Sequence, residues 1–174
     1  MDFFDAVKKR GCYRGEFTEK KIPREELCQI VQAGIQAPSG CNAQTTTFVI
    51  VDDPDLIRKT AEILGKPFCA TAAALIVCVA EDRAVFADMS FYKEDCAAAT
   101  ENILLALTAL GYASVWLDGV LRVGEVAKKI GDLLGVPAGK QVQIVLPVGE
   151  PAKPFAQNSR LPFDQRAWFN HYGQ

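Results

Sequence analysis

Three arginines in this chain have the chemistry and the spacing of a phosphate-binding group. Arg10 and Arg14 flank a turn at Gly11 in the segment KKRGCYRGEF, and Arg160 lies in NSRLP near the other end of the chain. Guanidinium groups that converge on a phosphate form paired, charge-assisted hydrogen bonds with it. Basic residues are also common in the last turn of a helix and on solvated surfaces. The arginines alone leave both roles open.

Neutral polar residues are concentrated in a second segment, QAPSGCNAQ, at residues 36–44. It carries no charged side chain, and Pro38, Ser39, Asn42 and Gln44 are suited to holding backbone groups and amides at fixed positions. Such a loop would suit a polar, uncharged ligand. The same residue types are ordinary turn and helix-capping residues, so this reading also stays open.

Common nucleotide and metal motifs are absent from the sequence. No strand-to-helix junction has G-x-G-x-x-G, and Gly139-Lys140 is followed by Gln141 instead of Ser or Thr, which excludes Rossmann and P-loop phosphate binding. The six cysteines never form a C-x-x-C pair, and the one histidine, His171, lies in a polar tail. We therefore expect no zinc site.

Composition and charge describe an ordinary globular protein. The chain has 174 residues, of which 49% are hydrophobic, and a formal net charge of −2. This predicts a single domain over 1–174, with no nucleic-acid partner. No apolar run approaches the roughly 20 residues that span a membrane. The N-terminus is the reverse of a secretory signal and Cys78 lies in an apolar run, so we expect a cytoplasmic protein with reduced thiols.

Periodicity and capping residues predict alternating helices and strands. The run at 73–80 is apolar on both faces and predicts a central strand. The long helix at 92–110 is small or apolar on nearly every side in its second half, so it must be buried all round, within the domain or against a partner. The other predicted helices are 2–10, 23–36, 53–64 and 122–134, and the other strands are 45–51, 113–117 and 142–148.

Four segments, in this order, resemble the FMN-dependent nitroreductase family. KKRGCYRGEF is similar to the family's R-R-S-x-R-x-F, and QAPSGCNAQTTTFVIV to its A-P-S-x-x-N-x-Q-P-W-x-F-V-V-V. NILLALTALGYASVWLDG is similar to N-L-x-L-A-A-x-x-L-G-L-x-S-x-W-x-x-G, and VLPVGEPAKP to a closing L-x-x-G-x-P that precedes an arginine. The match spans nearly the whole chain.

The resemblance implies an α+β, three-layer αβα fold with a central, mostly antiparallel sheet. It also implies an obligate homodimer that binds FMN in two grooves at the subunit interface. The segment 150–174, which has three prolines and few packing residues before Trp168, would be a domain-swapped arm that embraces the other subunit.

At the phosphate end, Arg10, Arg14 and Arg160 match the positions that bind the phosphate and reach the ribityl chain and the pyrimidine edge of the flavin. Gly11 and Cys12 fall within the same motif, where the family has a second arginine and a serine. Because a thiol is a poorer donor than a hydroxyl, the phosphate would keep fewer contacts than usual.

Around the flavin ring, Pro38, Ser39 and Asn42 match a loop that arrives from the partner chain. Asp118 and Gly119 match a pair whose backbone runs beside the reactive N5 atom, although an Asp-Gly pair is also a strong turn former. The family's Pro-Trp after Gln44 is Thr-Thr here, and only residues 81–94 replace the helical insertion of longer relatives.

The implied activity is hydride transfer from NADH or NADPH through flavin N5 to a small planar acceptor, such as a nitroaromatic compound or a quinone, by a ping-pong route. No side-chain acid or base is required for it. The alternatives are specialised flavin chemistry (reductive dehalogenation or flavin fragmentation), a non-catalytic flavin-binding dimer and a dimeric scaffold without a cofactor.

Overall fold

The computed structural model describes residues 1–173, in which helices and strands alternate as the periodicity predicts. The helices are α1 (Phe3–Lys9), α2 (Arg24–Ile35), α3 (Pro54–Leu64), α4 (Tyr92–Ala109) and α5 (Val126–Leu134). The strands are β1 (Thr46–Val51), β2 (Ala74–Glu81), β3 (Ala113–Ser114) and β4 (Lys140–Gly149). Within residues 1–173, no helix is both long and apolar enough to span a bilayer.

The four strands form one antiparallel sheet in the order β1-β2-β4-β3. Strands β2 and β4 lie at its centre. Every residue of β2 from Ala74 to Ala80 is buried, because helices cover both faces of the strand. The prediction of a central strand from its two apolar faces is confirmed.

Helices pack on both faces of the sheet and complete a three-layer αβα arrangement. On one face α2 and α4 contribute Ile30 and Ile103 to a buried cluster with Ile76 of β2. On the other face α3 and α5 contribute Ile57 and Ile130 to a second cluster. The expected α+β fold is confirmed.

Helix α4 is buried on one side only within the protomer. Cys96, Ile103 and Leu107 are at most 1% exposed, whereas Leu105 is half-buried and Glu101 is exposed. The expectation that this helix is buried all round is therefore not met by one chain alone. Its second face is partly open to solvent in the protomer.

A capping side chain marks the start of two helices, α1 and α3, and two predicted elements prove too long. Asp2 accepts a hydrogen bond from the backbone N–H of Asp5 and caps α1. Pro23 is the cap of α2 and not its first residue. Strand β3 has two residues instead of five. Helix α5 starts at Val126 and not near 122, because a 3-10 turn and Gly124, whose φ is +55°, precede it.

Candidate functional site

The arginine segment runs along the outer edge of the sheet. Arg10 caps the C-terminus of α1, and its Nε lies 3.3 Å from Oε1 of Glu101 on α4. Two residues later Cys12 forms a parallel bridge with Ser114 of β3, and the N–H of Tyr13 donates to the carbonyl of Ser114 at 2.8 Å. The backbone between Arg10 and Arg14 is thus fixed against the sheet, while the Arg14 side chain is exposed.

The first part of the C-terminal segment packs on the same stretch of chain. The side-chain amide of Gln157 donates to the carbonyl of Arg10 at 2.7 Å, and the ring of Phe155 lies 5.1 Å from that of Tyr13. A Cβ on Gly11 would lie 3.0 Å from Phe155. Phe155 therefore occupies the space beside residue 11, and a side chain there would require the Phe155 ring to shift.

Arg160 lies three residues beyond Gln157 and is exposed. Its Nη1 donates to the carbonyl of Asn158 at 3.0 Å, within its own segment. The segment that carries Arg160 therefore passes close to the backbone of Arg10.

Asp118 and Gly119 follow β3 on the edge of the sheet. Just before them, Leu117 and Val145 exchange two backbone hydrogen bonds. The carboxylate of Asp118 accepts from Nη2 of Arg122 at 2.7 Å, and its carbonyl accepts the N–H of Leu121 at 3.0 Å, so both groups stabilise the turn. A Cβ added to Gly119 would have no neighbouring atom within 4 Å.

The loop from Pro38 to Gln44 is held in an unusual backbone conformation. Cys41, Asn42 and Gln44 have φ values between +51° and +53°, in the left-handed region that non-glycine residues seldom adopt. Oγ of Ser39 accepts from the N–H of Gln44 at 3.1 Å. Pro38 and Asn42 remain exposed.

Buried groups support this loop from below. Asp95, which is 5% exposed, accepts hydrogen bonds from the N–H of Gly40 at 2.8 Å and from the hydroxyl of Thr45 at 2.9 Å. The ring of Phe91 fills the space where a side chain at residue 40 would stand, since a Cβ there would clash with it. Asp95 and Phe91 thus fix the loop to the start of α4.

The loop and the arginine segment are anchored at opposite corners of the sheet. Cys12 adjoins Ser114, which pairs with Val148 near the end of β4, whereas the loop leads into Thr46, on the far strand near the level of Gln141. Strand geometry puts these corners roughly 25 Å apart. No hydrogen bond or ion pair among the described residues joins Pro38–Gln44 to Arg10–Arg14, so one chain presents them as two separate surfaces.

The corner of the sheet at Cys12 and Ser114, which carries Arg10 and Arg14, is the arginine corner. Its charged groups fit a phosphate. Arg14 and Arg160 form no ion pair with any described residue, and Arg10 pairs only with Glu101 there. The guanidinium groups of Arg10 and Arg14, which flank the segment fixed against the sheet edge, and that of Arg160 therefore have donors left for an anion. No cluster of metal-ligating side chains occurs in residues 1–173.

Sequence reasoning missed the residues that support these surfaces. Asp95 and Glu101 lie on α4, which the sequence predicted to be buried all round. Phe155 and Gln157 lie in the C-terminal segment, which was predicted to pack on the other subunit. Asp95 follows Lys93 and Glu94 in the polar first turn of α4, so no local pattern distinguishes its buried carboxylate from its exposed neighbours.

A comparison with protein-family models decides the family of the chain. The model described as "Nitroreductase family" matches residues 7–76 and 64–150, which include the arginine segment, the loop and Asp118–Gly119. The chain belongs to the nitroreductase family.

Relatives and solved structures agree with membership of the nitroreductase family. A protein of Archaeoglobus fulgidus, provisionally named NADH dehydrogenase/NAD(P)H nitroreductase, is 36% identical over 137 residues, which is 78% of each chain. An iodotyrosine deiodinase of Thermotoga neapolitana is 28% identical, over 87% of this chain and 89% of that one. The fold matches an FMN-dependent nitroreductase of Clostridium difficile with a TM-score of 0.83 at 24% identity, covering 97% and 99% of the two chains.

Proposed function

We propose that this protein is an FMN-dependent oxidoreductase that takes hydride from NADH or NADPH and passes electrons to a small planar acceptor such as a nitroaromatic compound or a quinone. The observation that carries the proposal is the arginine corner, where Arg14 forms no ion pair with a described residue and Arg10 pairs only with Glu101, in a chain of the nitroreductase family. The relative from Archaeoglobus fulgidus is named for NAD(P)H, and the structural neighbour from Clostridium difficile for FMN.

Arg10, Arg14 and Arg160 would hold the phosphate. Arg14 is exposed beside the sheet edge, and its position in the motif is the one that reaches the pyrimidine edge of the ring. A cation at that edge favours the reduced, more anionic flavin and raises its reduction potential. Arg14 would therefore both bind the cofactor and tune it.

The backbone of Asp118–Gly119 would run beside the reactive edge of the ring. FMN held there would supply the redox chemistry, which is hydride transfer from the nicotinamide and electron delivery to the acceptor. The open space at Gly119 allows a flat ring to lie against the backbone. No proton-transferring side chain is needed at this position.

A homodimer would complete each site. The loop Pro38–Gln44 lies at the opposite corner from the arginines of its own chain, so a second copy is needed to bring a loop to each arginine corner. The end of the C-terminal segment exposes large apolar side chains that suit a partner surface. These are Leu161, Phe163, Phe169 and Tyr172, which are 64% to 89% exposed.

Flavin content and anaerobic reduction test the proposal. The purified protein, supplied with FMN, is expected to retain a flavin spectrum that NADH or NADPH bleaches in the absence of oxygen. Addition of a nitroaromatic compound or a quinone is then expected to restore the oxidised spectrum. Failure to bind FMN would refute the proposal, and binding without bleaching would favour a non-catalytic flavin-binding dimer.

Reductive dehalogenation is a second candidate, favoured by the similarity to the iodotyrosine deiodinase of Thermotoga neapolitana over most of both chains. An acceptor panel that includes iodotyrosine separates the two. Release of iodide with turnover, and no reoxidation by nitroaromatics or quinones, would select this candidate over the first.

A further inference from the structure

One carboxylate stands against the arginine that begins the phosphate-binding motif. Oε1 of Glu101 lies 3.3 Å from Nε of Arg10. The Arg10 side chain is only 14% exposed, whereas that of Glu101 is 48% exposed. The guanidinium of Arg10 is therefore partly desolvated. The carboxylate of Glu101, which faces solvent, holds it at its Nε edge.

The same corner has fewer cationic groups than the family motif provides. Residue 11 is glycine, and Phe155 at 3.0 Å and the carbonyl oxygen of Ala156 at 3.3 Å close the space that a side chain would take. Residue 12 is a cysteine, whose thiol is a weak donor. The charge of Glu101 thus acts on a group of cations that is already small.

We infer that Glu101 competes with the phosphate of FMN for Arg10, so that the protein binds FMN loosely and exchanges it with free flavin. The inference depends on the proposed function, since it assumes that Arg10 binds the phosphate. A phosphate dianion and a carboxylate that share one guanidinium repel each other, and the repulsion lowers the affinity for the phosphate. Glu101 is thus a residue that sets the residence time of the cofactor through Arg10.

The half-exposure of Glu101 limits the size of this effect. Water and salt screen a charge at such a position, so the interaction amounts to a modest fraction of that of a buried pair. Removal of the charge is therefore expected to tighten FMN binding by about fivefold to tenfold at low salt. The gain should shrink as the salt concentration rises.

Equilibrium dialysis of FMN and riboflavin against the full-length protein tests the inference. The variant is Glu101→Gln, which keeps the shape and removes the charge. The control is Glu94→Gln, which removes an exposed charge from the same helix two turns away. Riboflavin lacks the phosphate, so its affinity should not change in either variant. The rate of FMN release after dilution, followed by flavin fluorescence, should fall in Glu101→Gln only.

The outcomes separate the inference from the function on which it depends. Tighter FMN binding with unchanged riboflavin binding in Glu101→Gln supports it. Unchanged FMN affinity, an equal gain for riboflavin or an equal gain in Glu94→Gln would overturn it while leaving the proposed function intact. Weaker FMN binding would also overturn it, because Glu101 would then orient Arg10 instead of competing for it. Failure of the unaltered protein to bind FMN at all would overturn both.

Discussion

Asp95 and Gly40 are joined by a 2.8 Å hydrogen bond, although 55 residues separate them in the chain. The carboxylate of Asp95 accepts the backbone N–H of Gly40 with one oxygen and the hydroxyl of Thr45 with the other. It thereby connects both ends of the strained loop to α4. Because Asp95 is 5% exposed, these two donors satisfy a charge that water barely reaches.

Replacement of Asp95 by Ala should lower the free energy of unfolding by about 2–3 kcal/mol, because hydrogen bonds to a charged, buried acceptor contribute more than neutral ones. Thr45→Val removes one of the two donors and should cost less, about 1 kcal/mol. Urea unfolding at fixed protein concentration measures both. Equal losses in the two variants would mean that the Gly40 bond contributes nothing.

Features that depend on neighbouring residues could be predicted from the sequence. The two apolar faces of 74–80 identify a buried strand wherever it lies, and Asp2 caps its own helix because it is three residues from the N–H that it accepts. Glycine at residue 65 ends α3 with a φ of +61°, as expected for a helix C-terminus.

Contacts between distant residues were beyond sequence reasoning. The pairing of Arg10 with Glu101 depends on the angle at which α1 crosses α4, which no local pattern encodes. Likewise, the steric role of Gly11 follows from the path of Phe155, 144 positions later in the chain. The resemblance located the site residues, but only tertiary packing revealed which groups position or oppose them.

Replacement of Arg14 by Ala should weaken FMN binding by about tenfold to hundredfold, since a charge-assisted hydrogen bond contributes roughly 1.5–3 kcal/mol. Arg58→Ala is the matched control, because Arg58 is an exposed arginine on α3 that pairs with Asp55 and Glu62. Arg58→Ala removes the same positive charge at a position on α3, outside the arginine motif. Equal FMN affinities in the two variants, measured by equilibrium dialysis, would remove Arg14 from the phosphate site.

Thiol labelling should distinguish two classes of cysteine. Cys12, Cys28 and Cys41 are exposed, whereas Cys69, Cys78 and Cys96 are buried. Burial raises the pKa of Cys69 to about 12, so that its reactive thiolate is scarce at neutral pH. A chromogenic disulfide reagent should therefore modify three thiols in the native protein and all six after denaturation.

FMN should slow the labelling of two of the three exposed thiols. Cys12 lies in the arginine motif and Cys41 in the loop, whereas Cys28 lies on α2, outside both segments. Peptide mass analysis after labelling with and without FMN measures each site separately. Equal protection of Cys28 would indicate a general change in the protein instead of a ligand over the two proposed surfaces.

Stability should fall with rising pH through a buried tyrosine. The hydroxyl of Tyr112 donates to Oε2 of Glu26 at 2.8 Å, and burial together with this carboxylate raises the pKa of Tyr112 from 10 to about 12. Its stabilising contribution is complete below pH 10 and is lost as the pH rises towards 12, because the unfolded chain ionises first.

The matched variant for this prediction is Tyr112→Phe, which has no group to titrate. Its unfolding free energy should fall less steeply between pH 10 and 12 than that of the unaltered protein. Urea unfolding at a series of pH values gives both slopes. Parallel curves for the two proteins would show that Tyr112 does not titrate as its surroundings indicate.

Removal of the C-terminal segment after Gln157 should convert a dimer into a monomer. Residues up to Gln157 bond to their own chain through the carbonyl of Arg10, so the protomer should still fold, whereas the removed part carries exposed apolar side chains such as Phe163 and Phe169. Sedimentation velocity over a range of concentrations measures the change. The truncation also removes Arg160, so Arg160→Ala in the full-length chain is the control: it should weaken FMN binding and leave the dimer intact. A truncated chain that sediments as the full-length protein does would show that the segment does not hold two subunits together.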